Sequence, residues 1–264
     1  MLTLKNVKKT FNRGTVNEKQ ALRGINLELE KGDFVTVIGG NGAGKSTMLN
    51  MIAGVFPLDS GVITLNGHDI SLLPEHKRAQ YLGRVFQDPM QGTATDMQID
   101  ENLALAHRRG KRRGLSWGIT RAERESYVEA LASLGLGLET RLSDKVGLLS
   151  GGQRQALTLL MATLKRPDLL LLDEHTAALD PKTAAQVLKL TQEIVDEHGL
   201  TTLMVTHNMT DAIRLGNRLV MMSDGQIIYD VRGADKAKLT VADLLHKFEE
   251  ASGTEFANDR MLLS

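Results

Sequence analysis

The sequence predicts an α/β fold: a mixed, mainly parallel sheet covered by helices, with an antiparallel β subdomain at the N-terminus and a helical subdomain inserted into the core. Three observations carry this. "FVTVI", Phe34–Ile38, is an unbroken apolar run between Gly32 and Gly39, as expected of a strand buried on both faces, and a glycine-rich loop leads from it into a helical stretch, Lys45–Ala53. Leu169–Leu172, Thr202–Val205 and Leu219–Met222 are further short apolar runs, separated by helical stretches such as Ala184–Val195 and Met209–Leu215, the alternation of a parallel sheet with helical crossovers. Between Asp88 and Arg166 the strand signal fades, and Ile99–Ala106, Arg121–Leu134 and Gln153–Leu164 read as helices.

In chain order, alternation over Leu2–Val7 and again over Leu22–Leu29 predicts the antiparallel edge. The span of about 88–166 is the inserted helical subdomain of one domain covering 1–264, and about 232–264 forms a short helical tail. In that tail Thr240, with Asp243 three residues on, has the character of a capping box ahead of "LLHKF". There is no internal repeat and no low-complexity segment.

With 264 residues and 42% hydrophobic content the chain can bury a sizeable core. Lys plus Arg, 32, balances Asp plus Glu, 32, so the charge asks for no nucleic acid and no acidic partner. The absence of cysteine removes disulfides and thiolate metal sites and fits a reducing compartment. "MLTLKNVKKTF" lacks the apolar core of a signal peptide, and no apolar run approaches the ~18 residues a span requires, so a cytoplasmic or peripheral chain is expected. "HRRGKRRG", His107–Gly114, is the one strong charge cluster; it reads as a solvated loop between helices, with contact to anionic lipid headgroups or a partner as the alternative.

The chemistry begins at "GGNGAGKST": Gly39, Gly40, Asn41, Gly42, Ala43, Gly44, Lys45, Ser46 and Thr47 fit G-x-x-x-x-G-K-[ST] between a predicted strand and a predicted helix. Glycines let backbone N–H groups curl around phosphate oxygens, the helix start adds partial positive charge, Lys45 reaches the β- and γ-phosphates of ATP, and Ser46 ligates Mg²⁺. "PDLLLLDEHTAALD", Pro167–Asp180, delivers Asp173 and Glu174 to the C-terminal edge of a buried strand, where open parallel sheets bind ligands. Asp173 suits the Mg²⁺ shell, and Glu174 suits the polarisation of a water for attack on the γ-phosphate. In "LSGGQRQA", Leu149–Ala156, a Gly-Gly pair at a helix start marks close approach of something to the backbone.

With Gly39–Thr47, Leu149–Gln153 and Leu169–Glu174 in this order, the sequence resembles the nucleotide-binding subunit of an ABC transporter, a P-loop ATPase, from Phe11 to about Val231. The resemblance implies further roles. Gln87 in "VFQDP" is similar to the Q-loop glutamine, which senses Mg²⁺ or the attacking water and links core to helical lobe. His207 in "VTHNM" resembles the switch histidine that donates to the γ-phosphate, Ala178–Asp180 the D-loop, and Phe11 the adenine-stacking aromatic. It also implies that Ser150, Gly151, Gly152 and Gln153 face ATP held by a second copy, two chains closing head to tail around two ATP molecules, so that a monomer hydrolyses poorly. Two positions depart from the family pattern: His175 stands where proline or alanine is commoner, and Gly40 where proline or serine is frequent. No extra β-domain follows, so no substrate-sensing module is expected in this chain.

Lacking a span, such a subunit implies separate transmembrane permease subunits and a place on the cytoplasmic face of the membrane. "DEHTAALDPKTA" with "LTTLMVTHNM" resembles a bacterial importer group that works with a substrate-binding protein on amino acids. The groove beside Gln87, including "DPMQGTATDMQIDENL", is expected to receive a coupling helix of the permease. The alternatives are a soluble ABC ATPase of DNA repair or the ribosome, which needs heptad arms or a second cassette, and a scaffold that does not hydrolyse, which Glu174 together with His207 disfavours.

Overall fold

In the computed structural model, which describes residues 1–110 and 118–252, the chain runs β1 (Leu2–Phe11), β2 (Lys19–Leu29), β3 (Phe34–Gly39), α1 (Lys45–Ala53), β4 (Ser60–Leu65), β5 (His68–Asp69), α2 (Glu75–Arg78), β6 (Leu82–Val85), α3 (Ile99–His107), α4 (Arg121–Ala132), α5 (Gly151–Thr163), β7 (Leu169–Asp173), α6 (Pro181–His198), β8 (Thr202–Val205), α7 (Met209–Arg214), β9 (Arg218–Ser223), β10 (Gln226–Arg232), α8 (Gly233–Ala237) and α9 (Val241–Ser252). Residues 111–114 of the basic cluster fall outside the described residues. The described residues form two compact units, Met1–Arg78 with 200–252, and Ala79–Gly199 without 111–117.

The first unit holds two sheets. In the mainly parallel one, β3 is flanked by β8 (Val35 opposite Leu203) and β9 (Val37 opposite Val220), both parallel. All six residues of β3 are buried, which is why its sequence is apolar without alternation. β9 turns back into antiparallel β10 through Asp224-Gly225, both at positive φ (48° and 74°), the two-residue turn whose twist suits a hairpin. The antiparallel sheet has the order β2-β1-β4-β5, and β4 reaches β5 through the same device, Asn66-Gly67 at 51° and 80°. Alternation along the sequence disclosed only β1 and β2 of this sheet; β4 and β5 escaped it, as did β10 in the other sheet.

Helix α1 is fastened at its C-terminal end by a buried guanidinium. Arg78 donates to the carbonyls of Met51 (2.7 Å), Ile52 (2.9 Å), Ser71 (2.9 Å) and Leu73 (2.7 Å). The last carbonyls of a helix have no partner inside it, and here a single side chain satisfies two of them. The tail is part of the core: α9 inserts Leu244 and Phe248 among Ile38, Met209, Ala212, Leu219 and Met221. Its start carries the reciprocal bonds expected from Thr240 and Asp243, the Asp243 amide donating to Thr240 Oγ1 (3.2 Å) and the Thr240 amide to Asp243 Oδ2 (2.8 Å).

In the second unit β6 and β7 pair in parallel, Val85 opposite Leu172, and α3 to α6 supply the helices. Among the described residues no helix is long and apolar enough to cross a membrane.

A second buried cation lies in the first unit. The Lys236 ammonium donates to the carbonyls of Leu215 and Gly216, and burial lowers its pKa from 10.5 to about 8. Between those two values the unfolded chain keeps a proton that the folded chain has released, so the unfolding free energy from this group rises with pH across the window. Urea titrations of wild type and Lys236→Met from pH 7.5 to 10.5 are expected to show the wild type gaining stability relative to the variant as pH rises.

Candidate nucleotide-binding site

The phosphate-loop candidate is built in the first unit, from the end of β3 to the start of α1. Lys45 is buried, and its ammonium donates to the Gly39 and Gly40 carbonyls at 2.7 and 3.2 Å, lying across the mouth of the loop. Gly44 begins the helix in the left-handed region (φ 99°), and a Cβ there would sit 2.6 Å from the Ala21 carbonyl oxygen and 2.9 Å from Leu22 Cδ2. The loop is thus packed on β2 by its own main chain, a cradle that side chains would fill. Rungs of α1 begin with the Met48 amide on the Gly44 carbonyl (2.8 Å), so the amides of Lys45, Ser46 and Thr47 precede the ladder at the positive end of the helix dipole. This fits a polyphosphate. Asn41, Gly42 and Ser46 are exposed, whereas Gly40, Ala43 and Gly44 are buried.

Phe11 closes β1 in the same unit. Its ring meets Phe56 edge to face (centroids 5.2 Å, 81°) and has the Lys9 ammonium 5.5 Å from its centroid. Lys9 is held in turn by the Pro57 carbonyl (2.9 Å) and Asp59 Oδ1 (3.3 Å). Phe56 went unread in the sequence; an aromatic following the helix of a phosphate loop was the available signal. His207 is half-buried just past β8, where the Thr206 amide donates to the Val37 carbonyl (3.1 Å) beside β3.

The remaining candidates lie in the second unit. Gln87 is exposed immediately after β6, and Asp88 caps the following turn by accepting from the Met90 amide (2.9 Å). Asp173 ends β7, half-buried, and Glu174 is buried with its backbone in the left-handed region at φ 46°, a conformation that costs a residue with a Cβ on the order of 1 kcal/mol or more. Strain of that kind clusters where function demands it. Asp180 caps α6: its Oδ1 accepts from the Thr183 amide (3.1 Å), and bonding to Thr183 holds its carboxyl below the usual range. Among the described residues no cluster of three His, Asp or Glu side chains could hold a metal unaided. The hydroxyl of Ser46, the amide of Gln87 and the carboxylate of Asp173 are hard oxygen ligands, the type Mg²⁺ takes when phosphates complete its shell.

His175, a departure from the family pattern, is fully enclosed. Its Nε2 lies 3.1 Å from Thr191 Oγ1 on α6, and burial pushes its pKa down to about 4, so the ring is neutral near pH 7. The sequence showed this residue only as a departure from the family pattern.

The "SGGQ" stretch has an answer within the chain as well. Ser150 Oγ accepts from the Gln153 amide (3.3 Å) while Gln153 Oε1 accepts from the Ser150 amide (3.2 Å), a capping box written into S-x-x-Q and overlooked in the sequence. Gly151 is exposed and Gly152 buried. What approaches Gly152 is α6: a Cβ there would fall 2.2 Å from Thr183 Cγ2.

The chain is similar to ATP-binding subunits of ABC transporters. A family model described as ABC transporter matches residues 22–177. A tyrosine transport ATP-binding protein of Clostridioides difficile is 45% identical over 251 residues, 95% of this chain and 100% of that one. A methionine import ATP-binding protein of Enterococcus faecalis is 33% identical over 94% of this chain and 70% of its own length. Among solved structures, the dimeric ATP-binding cassette MJ0796 in a post-hydrolysis state with ADP and phosphate is 31% identical with a TM-score of 0.74, covering 88% of this chain and 98% of that one. The ADP conformation of the cassette MJ1267 gives 0.78 at 27% identity over 94% and 98% of the two chains.

The close contact of α5 with α6 makes a testable case. Gly152→Ala is expected to lower stability by about 1–3 kcal/mol, the usual cost of forcing a methyl into a filled site. Thr183→Ser, which removes the obstructing Cγ2 and keeps the hydroxyl, should restore most of the loss, read as urea midpoints of the two single variants and the double variant.

Proposed function

We propose, from the premise that this chain belongs to the ABC transporter family, that it is the ATPase of a bacterial importer of amino acids, working with separate permease subunits and an extracytoplasmic substrate-binding protein. The chain is an ABC-type ATPase. The finer reading rests on one observation: the end-to-end match at 45% identity to a relative whose name specifies tyrosine transport. The subunit would dock peripherally, at the cytoplasmic face, with the segment from Asp88 to Leu103 receiving a permease helix.

In this reading Lys45 and the amides at the start of α1 bind the ATP phosphates, and Phe11 offers its ring face to adenine. Ser46, Gln87 and Asp173 would hold Mg²⁺, and the ion when bound would supply positive charge against the phosphates. Glu174 accepts a proton from the water that attacks the γ-phosphorus as the bond to the ADP oxygen breaks, and His207 donates to a γ-phosphate oxygen. Ser150, Gly151 and Gln153 and the main chain of Gly152, with Asp180 at the start of α6, serve the nucleotide of a second copy. The dimeric structure of a similar cassette bound to ADP and phosphate supports the pairing of two copies.

Lys45→Ala is expected to abolish most binding of a fluorescent ATP analogue, because the polyphosphate loses its close cation. Unchanged affinity in a folded variant would remove Gly39–Thr47 from the site. Glu174→Gln should lower hydrolysis by about 10²–10⁴-fold, the usual worth of a positioned base, while an ATP-dependent dimer accumulates on size exclusion with Mg²⁺ and ATP. For the cargo, cells carrying Lys45→Ala should lose uptake of labelled tyrosine or another amino acid; unaltered uptake across the amino acids would overturn the import reading.

A further inference from the structure

We propose that His175 is a positioning residue for Glu174, anchoring the turn that follows β7 to α6 so that the base keeps its left-handed backbone. The proposal rests on the reading of Glu174 as the base. Strand β7 fixes the chain up to Asp173 on one side. On the other, Glu174 opens a tight turn, its carbonyl accepting from the Ala177 amide at 2.9 Å. A turn of this kind does not by itself hold a residue with a Cβ at φ 46°; the neighbours must over-determine it.

His175 supplies that restraint. It is 2% exposed, and Thr191, its partner, is wholly buried. The Thr191 hydroxyl lies 2.8 Å from the Val187 carbonyl one helical turn back; with its proton donated there, its oxygen accepts from the ring and the proton of His175 sits on Nε2. The bond has one direction and ends on the middle of an 18-residue helix. Asp180 caps the start of that helix, so the whole segment from Glu174 to Asp180 is a loop tied at both ends to α6. Proline or alanine at this position could stiffen or fill the turn but could not make the tie.

The test is a set of single and double variants assayed for kcat and for binding of a fluorescent ATP analogue. His175→Ala is expected to lower kcat by about 10–100-fold, the scale of a small misplacement of a reacting group, with analogue affinity within about twofold of wild type. His175→Gln, whose amide can donate to Thr191, should recover much of the loss. Thr191→Val, which removes only the acceptor, should lower kcat in the same direction and keeps the test available if His175→Ala does not fold. In a Glu174→Gln background, neither His175→Ala nor Thr191→Val should lower the residual rate further, because the group they position is gone. Full additivity there, or wild-type kcat in His175→Ala, overturns the proposal. A wild-type rate in Glu174→Gln alone overturns the assignment of the base, and the positioning role with it.

Discussion

Strand β3 is paired in parallel on both sides and buried along its whole length, and that constraint sets the place of nearly everything the first unit does. A strand with no exposed edge cannot slide, so the loop that leaves it starts from a fixed point. The loop is then pressed against β2 through Gly44, where only hydrogen fits beneath the Ala21 carbonyl. Main-chain amides bind phosphate well only when they are held in place before it arrives, since ordering them during binding would be charged against affinity. The first unit holds the loop by the packing of Gly44 on β2 and by the Lys45 ammonium on the Gly39 and Gly40 carbonyls.

How far the sequence disclosed this depends on how local each signal was. The strand, loop and helix around Gly39–Thr47 were legible because burial on both faces and a glycine-rich turn are written within twenty residues. Helix α1 and strand β8 fell within the ranges the sequence assigned them. Strands β4 and β10 were missed for a physical reason: β4 buries only Ile63 and Leu65, and β10 has no fully buried residue, so neither shows a strong apolar pattern. Their Asn-Gly and Asp-Gly turns did carry the information. β6 is four residues long and contains a glycine and an arginine, too short for any periodicity to declare itself.

In the site, the residues recognisable by motif stood where local structure requires them, at strand ends and helix starts. Those that depend on tertiary packing did not announce themselves. The burial of His175 follows from α6 passing overhead with Thr191 facing it, and the need for glycine at 152 follows from Thr183, thirty-one positions on. The two glycines beside the serine differ in surroundings: Gly151 faces outward, and the space beside the Gly152 Cα is closed by α6.

The cap of α5 has a consequence in proton accounting. Aspartate and asparagine start helices as well as serine does, and aspartate would also gain from the helix dipole. Ser150 spends one oxygen lone pair on the Gln153 amide and keeps its hydroxyl proton. It is therefore a cap without negative charge that can still donate outward, beside the exposed Gly151. An aspartate in its place would hold the helix equally well and repel any anion brought to its end. The identity of the capping residue thus separates a helix start that carries negative charge from one that does not.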